Sequence, residues 1–206
     1  MKLVIGLTGG IGSGKTTVSN RFARHGIVIA DTDVAAREVV MPGKEAWQTI
    51  VDHFGKCICL SDGNLNRGLL REIVFSNSGE RAWLESVTRP AIMERCYLIL
   101  KEAQSDYSLL VLSAGSGRAP IVQRLLVVDA NAELQIKRVT LRDHNSPEQV
   151  QAIMDAQVSR EERNRYADDI ITNTGSLDEL YKQVDQLHAL YLELAMKLER
   201  DRVVAE

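Results

Sequence analysis

Short apolar runs alternate with longer amphipathic stretches along this 206-residue chain. The runs at Leu3–Thr8, Ile27–Ala30, Leu109–Leu112, Leu125–Asp129 and Asp169–Thr172 are rich in Leu, Ile and Val. Continuous apolar character over so few residues is what strands covered on both faces show. Helical periodicity fills the intervals. Strand and helix in alternation predict an α/β protein with a parallel five-stranded sheet, right-handed crossovers and helices on both faces. The last helix is the plainest. Ser176-Leu177-Asp178-Glu179 reads as a capping box, and Leu177, Leu180, Tyr181, Val184, Leu187, Tyr191, Leu194 and Leu198 follow at three- and four-residue steps. A second helix start is predicted at Ser146, with Pro147 at the first helical position. Between the second and third strands, residues 42–106 read almost wholly helical, with helices predicted at Lys44–Phe54, Arg67–Phe75 and Glu80–Gln104, the last interrupted at Pro90. So long a connection predicts a lobe over the strand ends, where sheets of this kind bind ligands.

Composition narrows the class. At 45% hydrophobic residues the chain has enough apolar surface to offset its conformational entropy. A formal charge of −3 lacks the basic excess of a general nucleic-acid binder. No apolar run approaches the ~20 residues that cross a bilayer, so no membrane partner is expected. Residues Met1–Leu7 run straight into Gly9-Gly10 and read as a first strand, not a leader. Cys57, Cys59 and Cys96 are few and odd in number, which argues for a reducing, cytoplasmic compartment. Cys57-Ile58-Cys59 lacks a second ligand pair and reads as small apolar positions, not a metal site. His25, His53, His144 and His188 form no ligand spacing and read as surface or helix-end residues.

The decisive segment is Gly9-Gly10-Ile11-Gly12-Ser13-Gly14-Lys15-Thr16, which fits G-x-x-x-x-G-K-[ST] after a strand and before a helix. Glycines let successive N–H groups turn inward around phosphate oxygens, and the following helix adds the positive end of its dipole. In that geometry Lys15 reaches the β- and γ-phosphates of a nucleotide, and the Thr16 hydroxyl meets Mg²⁺. No guanine-reading Asn-Lys-x-Asp segment exists in the chain, which leaves a kinase of small metabolites or a nucleotide sensor.

Asp31-Thr32-Asp33 follows the second strand. On an extended segment these carboxylates would point to one side, one taking the proton of an attacking hydroxyl and the other orienting Mg²⁺-bound water. Capping of a helix over Val34–Val39 fits the same residues equally well. Downstream, Lys137, Arg138 and Arg142 sit on or just after a helix predicted over Ala132–Leu141, and Arg160, Arg163 and Arg165 follow. Guanidinium groups there suit the equatorial oxygens of a transferring phosphoryl group. Leu125–Asp129 has the apolar-then-acid pattern of a metal-binding strand end. That pattern is too common to assign Mg²⁺ to Asp129.

Taken in order, these segments resemble the dephospho-coenzyme A kinase family of P-loop NTPase-type kinases. The match runs through Leu7–Thr17, Asp31-Thr32-Asp33 with Ala36-Arg37, Val127–Asp129, Gln135–Arg138 with Arg142-Asp143, Ala156–Arg163, and Ala167–Gly175. The resemblance implies ATP-dependent phosphorylation of the ribose 3′-hydroxyl of dephospho-coenzyme A. It implies Asp33 as base, with Lys15 and Arg142 stabilising the transferring charge. Gly10, Gly12, Ser13, Gly14, Lys15, Thr16, Thr17, Asn173 and Gly175 would hold ATP. Thr8, Asp31, Asp33 and Arg37 would face the acceptor, and Mg²⁺ would sit on Thr16, with Asp31 reaching it through water. The chain would be one kinase unit, with 1–41, 107–138 and 167–206 as core, 42–106 as acceptor-binding insertion and 139–166 as lid. Two segments depart from the family pattern: Ser113–Pro120 replaces Pro-Leu-Leu-x-Glu, and Arg89-Pro90 replaces His-Pro. They leave a small-metabolite kinase with another acceptor, or a nucleotide-binding regulator, as the alternative.

Overall fold

The structure is a computed structural model that describes residues 2–113, 119–143 and 145–205. Most of the Ser113–Pro120 segment, and His144, therefore lie outside the described residues. The backbone forms two compact units, one of residues 1–30 with 99–206 and one of residues 31–98.

The larger unit carries the sheet. Strand β1 (Leu3–Gly9) is buried at every position, as its unbroken apolar run predicts. It leads into helix α1 (Lys15–Arg24), and strand β2 (Val28–Asp31) follows. The remaining strands are β3 (Tyr107–Val111), β4 (Arg124–Asp129) and β5 (Asp169–Thr172), in the spatial order β2-β3-β1-β4-β5. The sheet is parallel, and all five strands fall on the predicted runs. Its register sets Gly9 opposite Val128 and Asp129 opposite Thr172. The end of β1 and the ends of β4 and β5 thus lie together at one edge.

One face of β1 presents Leu3, Ile5 and Leu7 to Val18 and Phe22 of α1 and to Leu180, Val184 and Tyr191 of the C-terminal helix (Leu177–Ala205). The predicted stripe on that helix is the buried one, with Leu177 as the exception. It stands 52% exposed in the first turn, where the helix has not yet reached the sheet. Ser176 and Glu179 form the predicted box, each side chain accepting the other's backbone N–H at 3.3 and 2.8 Å. A helix at Ala132–Asp143, one at Pro147–Asp155 and a short one at Arg160–Arg165 complete the unit. Ser146 caps the second of these, with Gln149 answering its own N–H.

In the smaller unit α2 (Thr32–Glu38) and α3 (Glu45–Phe54) come first, then a 3₁₀ turn at Lys56–Ile58. An isolated bridge joins Cys59 to Leu65 before α4 (Arg67–Ser76), and α5 (Ser78–Glu102) begins in this unit. Ile50, Val51, Ile58 and Leu65 form its core, with Trp47, Phe54 and Trp83 packed against them. The expected break at Pro90 is absent: α5 runs through it. A proline removes a single N–H from the ladder, and the intact turns on both sides hold the helix across that gap. Thr88 Oγ1, just before it, donates to Leu84 O at 2.8 Å. In chain order the helices after α5 are α6 (Ala132–Asp143), α7 (Pro147–Asp155), α8 (Arg160–Arg165) and α9 (Leu177–Ala205).

His25 and His53 stand at helix ends as expected, the latter exposed in the last turn of α3, whereas His188 is half-buried within α9. His25 caps the end of α1 and stacks on His188 at 4.3 Å between centroids, while His53 stacks on Trp83 at 3.6 Å. Ring faces are apolar enough to pack once the nitrogens find partners, which here are Asp185, Tyr107 and Glu80.

Candidate functional site

From β1 the chain turns through Gly10–Gly14 into α1. Gly12 and Gly14 have φ of 71° and 102°, a region that L side chains resist. At Gly14 space also forbids a side chain, because a Cβ would collide with the Asn173 amide. Ser13 N–H donates to Gly10 O at 3.2 Å and closes the turn. No side chain among the described residues caps α1, so its opening amides and dipole face outward as an anion cradle. Lys15 Nζ arches back to donate to Gly9 O at 2.8 Å and Gly10 O at 3.5 Å. Thr16 is exposed and Thr17 half-buried at the mouth. The Thr8 and Ser13 hydroxyls are buried, with no hydrogen-bond partner among the described residues.

Register brings a second wall to this loop. Asn173 N–H donates to Asp129 O at 2.7 Å, and its side-chain amide donates to Ser13 O at 2.7 Å. The loop is thereby tied to the end of β5. Arg138 of α6 reaches across with Nη2 to Asn173 O at 3.1 Å, leaving Nη1 buried without a described partner. Gly14, Thr17, Arg138, Asn173, Gly175 and Leu180 line a cleft of about 230 Å³. The structure therefore brings the predicted Asn173 and Gly175 to the predicted loop.

Behind the loop the packing is polar. Gln135 is buried, donates to Ala130 O at 2.7 Å, and leaves no room for a Cβ at Gly10. Gln157 Oε1 accepts the Ile11 N–H at 3.1 Å. Asp129 receives both arms of Arg160, at 2.7 and 2.6 Å. Those bonds chiefly hold its carboxyl below the usual carboxylate range, with Asn164 and Arg163 adding to the effect. Asp129 is thus an ion-pair anchor. Arg163 is 9% exposed and donates to Val158 O at 2.6 Å. Gln157 escapes a sequence reading because its partner is a loop amide far along the chain, and Gln135 because it only packs against the equally distant Gly10. The three-residue steps Gln157, Arg160, Arg163 were the available signal.

The aspartates differ from expectation. Asp31 and Asp33 do not lie on one extended segment, because α2 begins at Thr32, earlier than the predicted Val34. Asp31 is the N-cap, its Oδ1 accepting from Asp33 N–H at 2.8 Å and Val34 N–H at 3.3 Å. That cap draws the helix start forward and turns Asp33 into an exposed first-turn residue. Arg37 lies exposed in the last turn of α2. Arg142, exposed on α6, forms a fork with its neighbour Asp143, both contacts at 2.7 Å.

A family model for dephospho-CoA kinase matches residues 3–179, which include the loop, Arg138, Asn173 and Gly175. The chain belongs to the dephospho-CoA kinase family. The dephospho-CoA kinase of Shewanella oneidensis is 45% identical over 94% of this chain and 96% of its own. Among solved structures, a Thermus thermophilus protein superposes with a TM-score of 0.77 at 28% identity, covering 91% of this chain and 97% of its own. The dephospho-CoA kinase of Campylobacter jejuni gives a TM-score of 0.61 at 25% identity, covering 91% and 96%. This family member is a phosphotransferase, and ATP is the donor that the family implies.

Proposed function

We infer that this protein transfers the γ-phosphate of ATP to the ribose 3′-hydroxyl of dephospho-coenzyme A, giving coenzyme A and ADP. The observation that carries the reading is the family match over residues 3–179 on a chain whose Gly9–Thr17 loop is shaped as an anion cradle. ATP enters with its phosphates on the amides of Gly10–Thr17 and its nucleoside beside Asn173 and Gly175. Lys15 leaves its carbonyl partners for the β- and γ-oxygens. Asp33 takes the proton of the acceptor hydroxyl as that oxygen attacks phosphorus, and Lys15 and Arg142 offset the charge that spreads over the equatorial oxygens. Arg142 must exchange Asp143 for phosphate to do so. Thr8, Asp31 and Arg37 complete the acceptor side.

Among the described residues no cluster of His, Cys, Asp or Glu could hold a metal by itself. Thr16 would offer such an ion one hard hydroxyl oxygen, and Asp31 would reach it only through water. This fits Mg²⁺ that arrives on the nucleotide and keeps most of its own water. When bound, the ion would neutralise phosphate charge. We assign residues 42–106 to acceptor binding and 139–166 to the lid. The reducing compartment suggested by three unpaired cysteines, and the absence of a described helix able to cross a membrane, support a cytoplasmic location.

An ADP-release assay tests the reading. Turnover with dephospho-coenzyme A is expected; turnover only with other alcohols would assign another acceptor, and ATP binding without turnover would make the protein a regulator.

A further inference from the structure

The guanidinium of Arg163 is buried beside the phosphate loop, and no step of the transfer uses it. It is 9% exposed, its Nη2 donates to Val158 O at 2.6 Å, and its Nε is buried without a described partner. Nη1 faces the loop backbone, since a Cβ built on Gly10 would stand 3.1 Å from it. Burial lowers its pKa from the ordinary arginine value, and the Asp129 charge only partly opposes that. Arginine nonetheless stays protonated in proteins, so a full positive charge sits behind the loop.

Burying a lone charge is expensive, and a structural role alone would be met by a carboxylate matched to it. The near carboxylate is already taken. Asp129 receives two short bonds from Arg160, which leaves one negative charge for two guanidinium groups. The set Asp129, Arg160 and Arg163 therefore holds a net charge of +1. Its inner member points at the amide cradle.

We propose that Arg163 is a positioning residue for the nucleotide, acting through the phosphate loop: its buried charge behind Gly10 strengthens the hold on the polyphosphate. The inference rests on the phosphate loop taking ATP. Gln157, from the same segment, braces the adjacent Ile11 N–H. The stretch from Gln157 to Arg163 thus meets the loop from below at two consecutive residues, and Arg160 fastens it to the end of β4.

The test is calorimetry of ATP–Mg²⁺ and of adenosine binding to the full chain, with melting curves for each variant. Arg163→Met removes the charge but keeps length, and is expected to weaken ATP about tenfold while leaving adenosine unchanged. Arg163→Lys is expected to restore most of the loss. Arg163→Gln, polar but neutral, is the second variant where Arg163→Met fails to fold, and it should show the same selective loss of ATP. Equal losses for ATP and adenosine, or no rescue by lysine, would each overturn it. Wild-type protein that binds ATP while the variants bind it equally well sinks this inference alone. Wild-type protein that binds no ATP sinks the functional reading with it.

Discussion

Asp31 and Asp33 stand two positions apart and do separate work. Asp31 spends Oδ1 on the amides of Asp33 and Val34, whereas Asp33 is exposed in the first turn of α2. Side-chain caps are worth roughly 0.5–2 kcal/mol, so Asp31→Ala is expected to cost about 1 kcal/mol in urea unfolding. Asp31→Asn, which keeps an acceptor oxygen, should cost less. Asp33 carries no such duty, and its substitution speaks to chemistry. Asp33→Asn is expected to lower kcat by ~10²–10⁴, the range for a lost general base, with the calorimetric affinity for ATP nearly unchanged. Turnover close to wild type would reduce Asp33 to a helix-dipole residue. The sequence left capping and catalysis open at both positions because an Asp-x-Asp spelling is silent about where a helix begins. The structure places the cap on Asp31, and the turnover of Asp33→Asn decides whether Asp33 is the base.

At the scale of elements, the strands and the phosphate loop were legible because their signals are local. An apolar run of four to seven residues bounded by polar ones can only be buried in a sheet or a helix, and its length decides between them. Gly12 and Gly14 announce positive φ in the sequence itself. The contact partners of the loop were not legible. Asn173 reaches Ser13 only because β4 pairs with both β1 and β5 in a particular register, and local patterns do not encode register across a parallel sheet. Pro90 was misleading for the opposite reason: a strong local signal for a break is outweighed by the long helix around it. Gly14→Ala tests the loop as an element, since it strains φ and drives Cβ into Asn173. It is expected to destabilise by more than ~1 kcal/mol in denaturant unfolding, as alanine does at positive φ, and to abolish calorimetric binding of ATP. Binding at wild-type strength would mean that the loop adjusts freely, contrary to its tie to Asn173.

The larger unit is assembled from two stretches of chain, and its closure depends on contacts between them. Lys2 Nζ donates to the carbonyls of Gln104 and Ser105, and α1 packs along α9 through a charged clasp. Arg21 forks onto Asp185 at 2.8 and 2.6 Å, and His25 adds a third contact at 2.8 Å. The Arg21 bond, with His25 helping, holds the Asp185 carboxyl at about 2. His188 stacks on His25 and shares a hydrogen bond of 2.8 Å with the buried Tyr107 hydroxyl. Burial, then the neighbouring His25, pushes the His188 imidazole below its ordinary value, against the opposite pull of Asp185 and Asp106. Both groups thus take up protons more readily in the unfolded chain, and stability rises with pH wherever that holds. The His188 contribution is complete above the ordinary histidine value near 6.5 and is lost as pH falls below it. The Asp185 contribution disappears only at lower pH, between the ordinary carboxylate value and about 2. Melting curves should therefore fall in two stages, the first beginning below pH 6.5. His188→Gln keeps a partner for Tyr107 but has no proton to gain, so it should flatten the first stage and leave the second intact. A mutant curve that parallels wild type from pH 7 to 5 would place the first stage elsewhere in the molecule, and the clasp would then report on Asp185 alone.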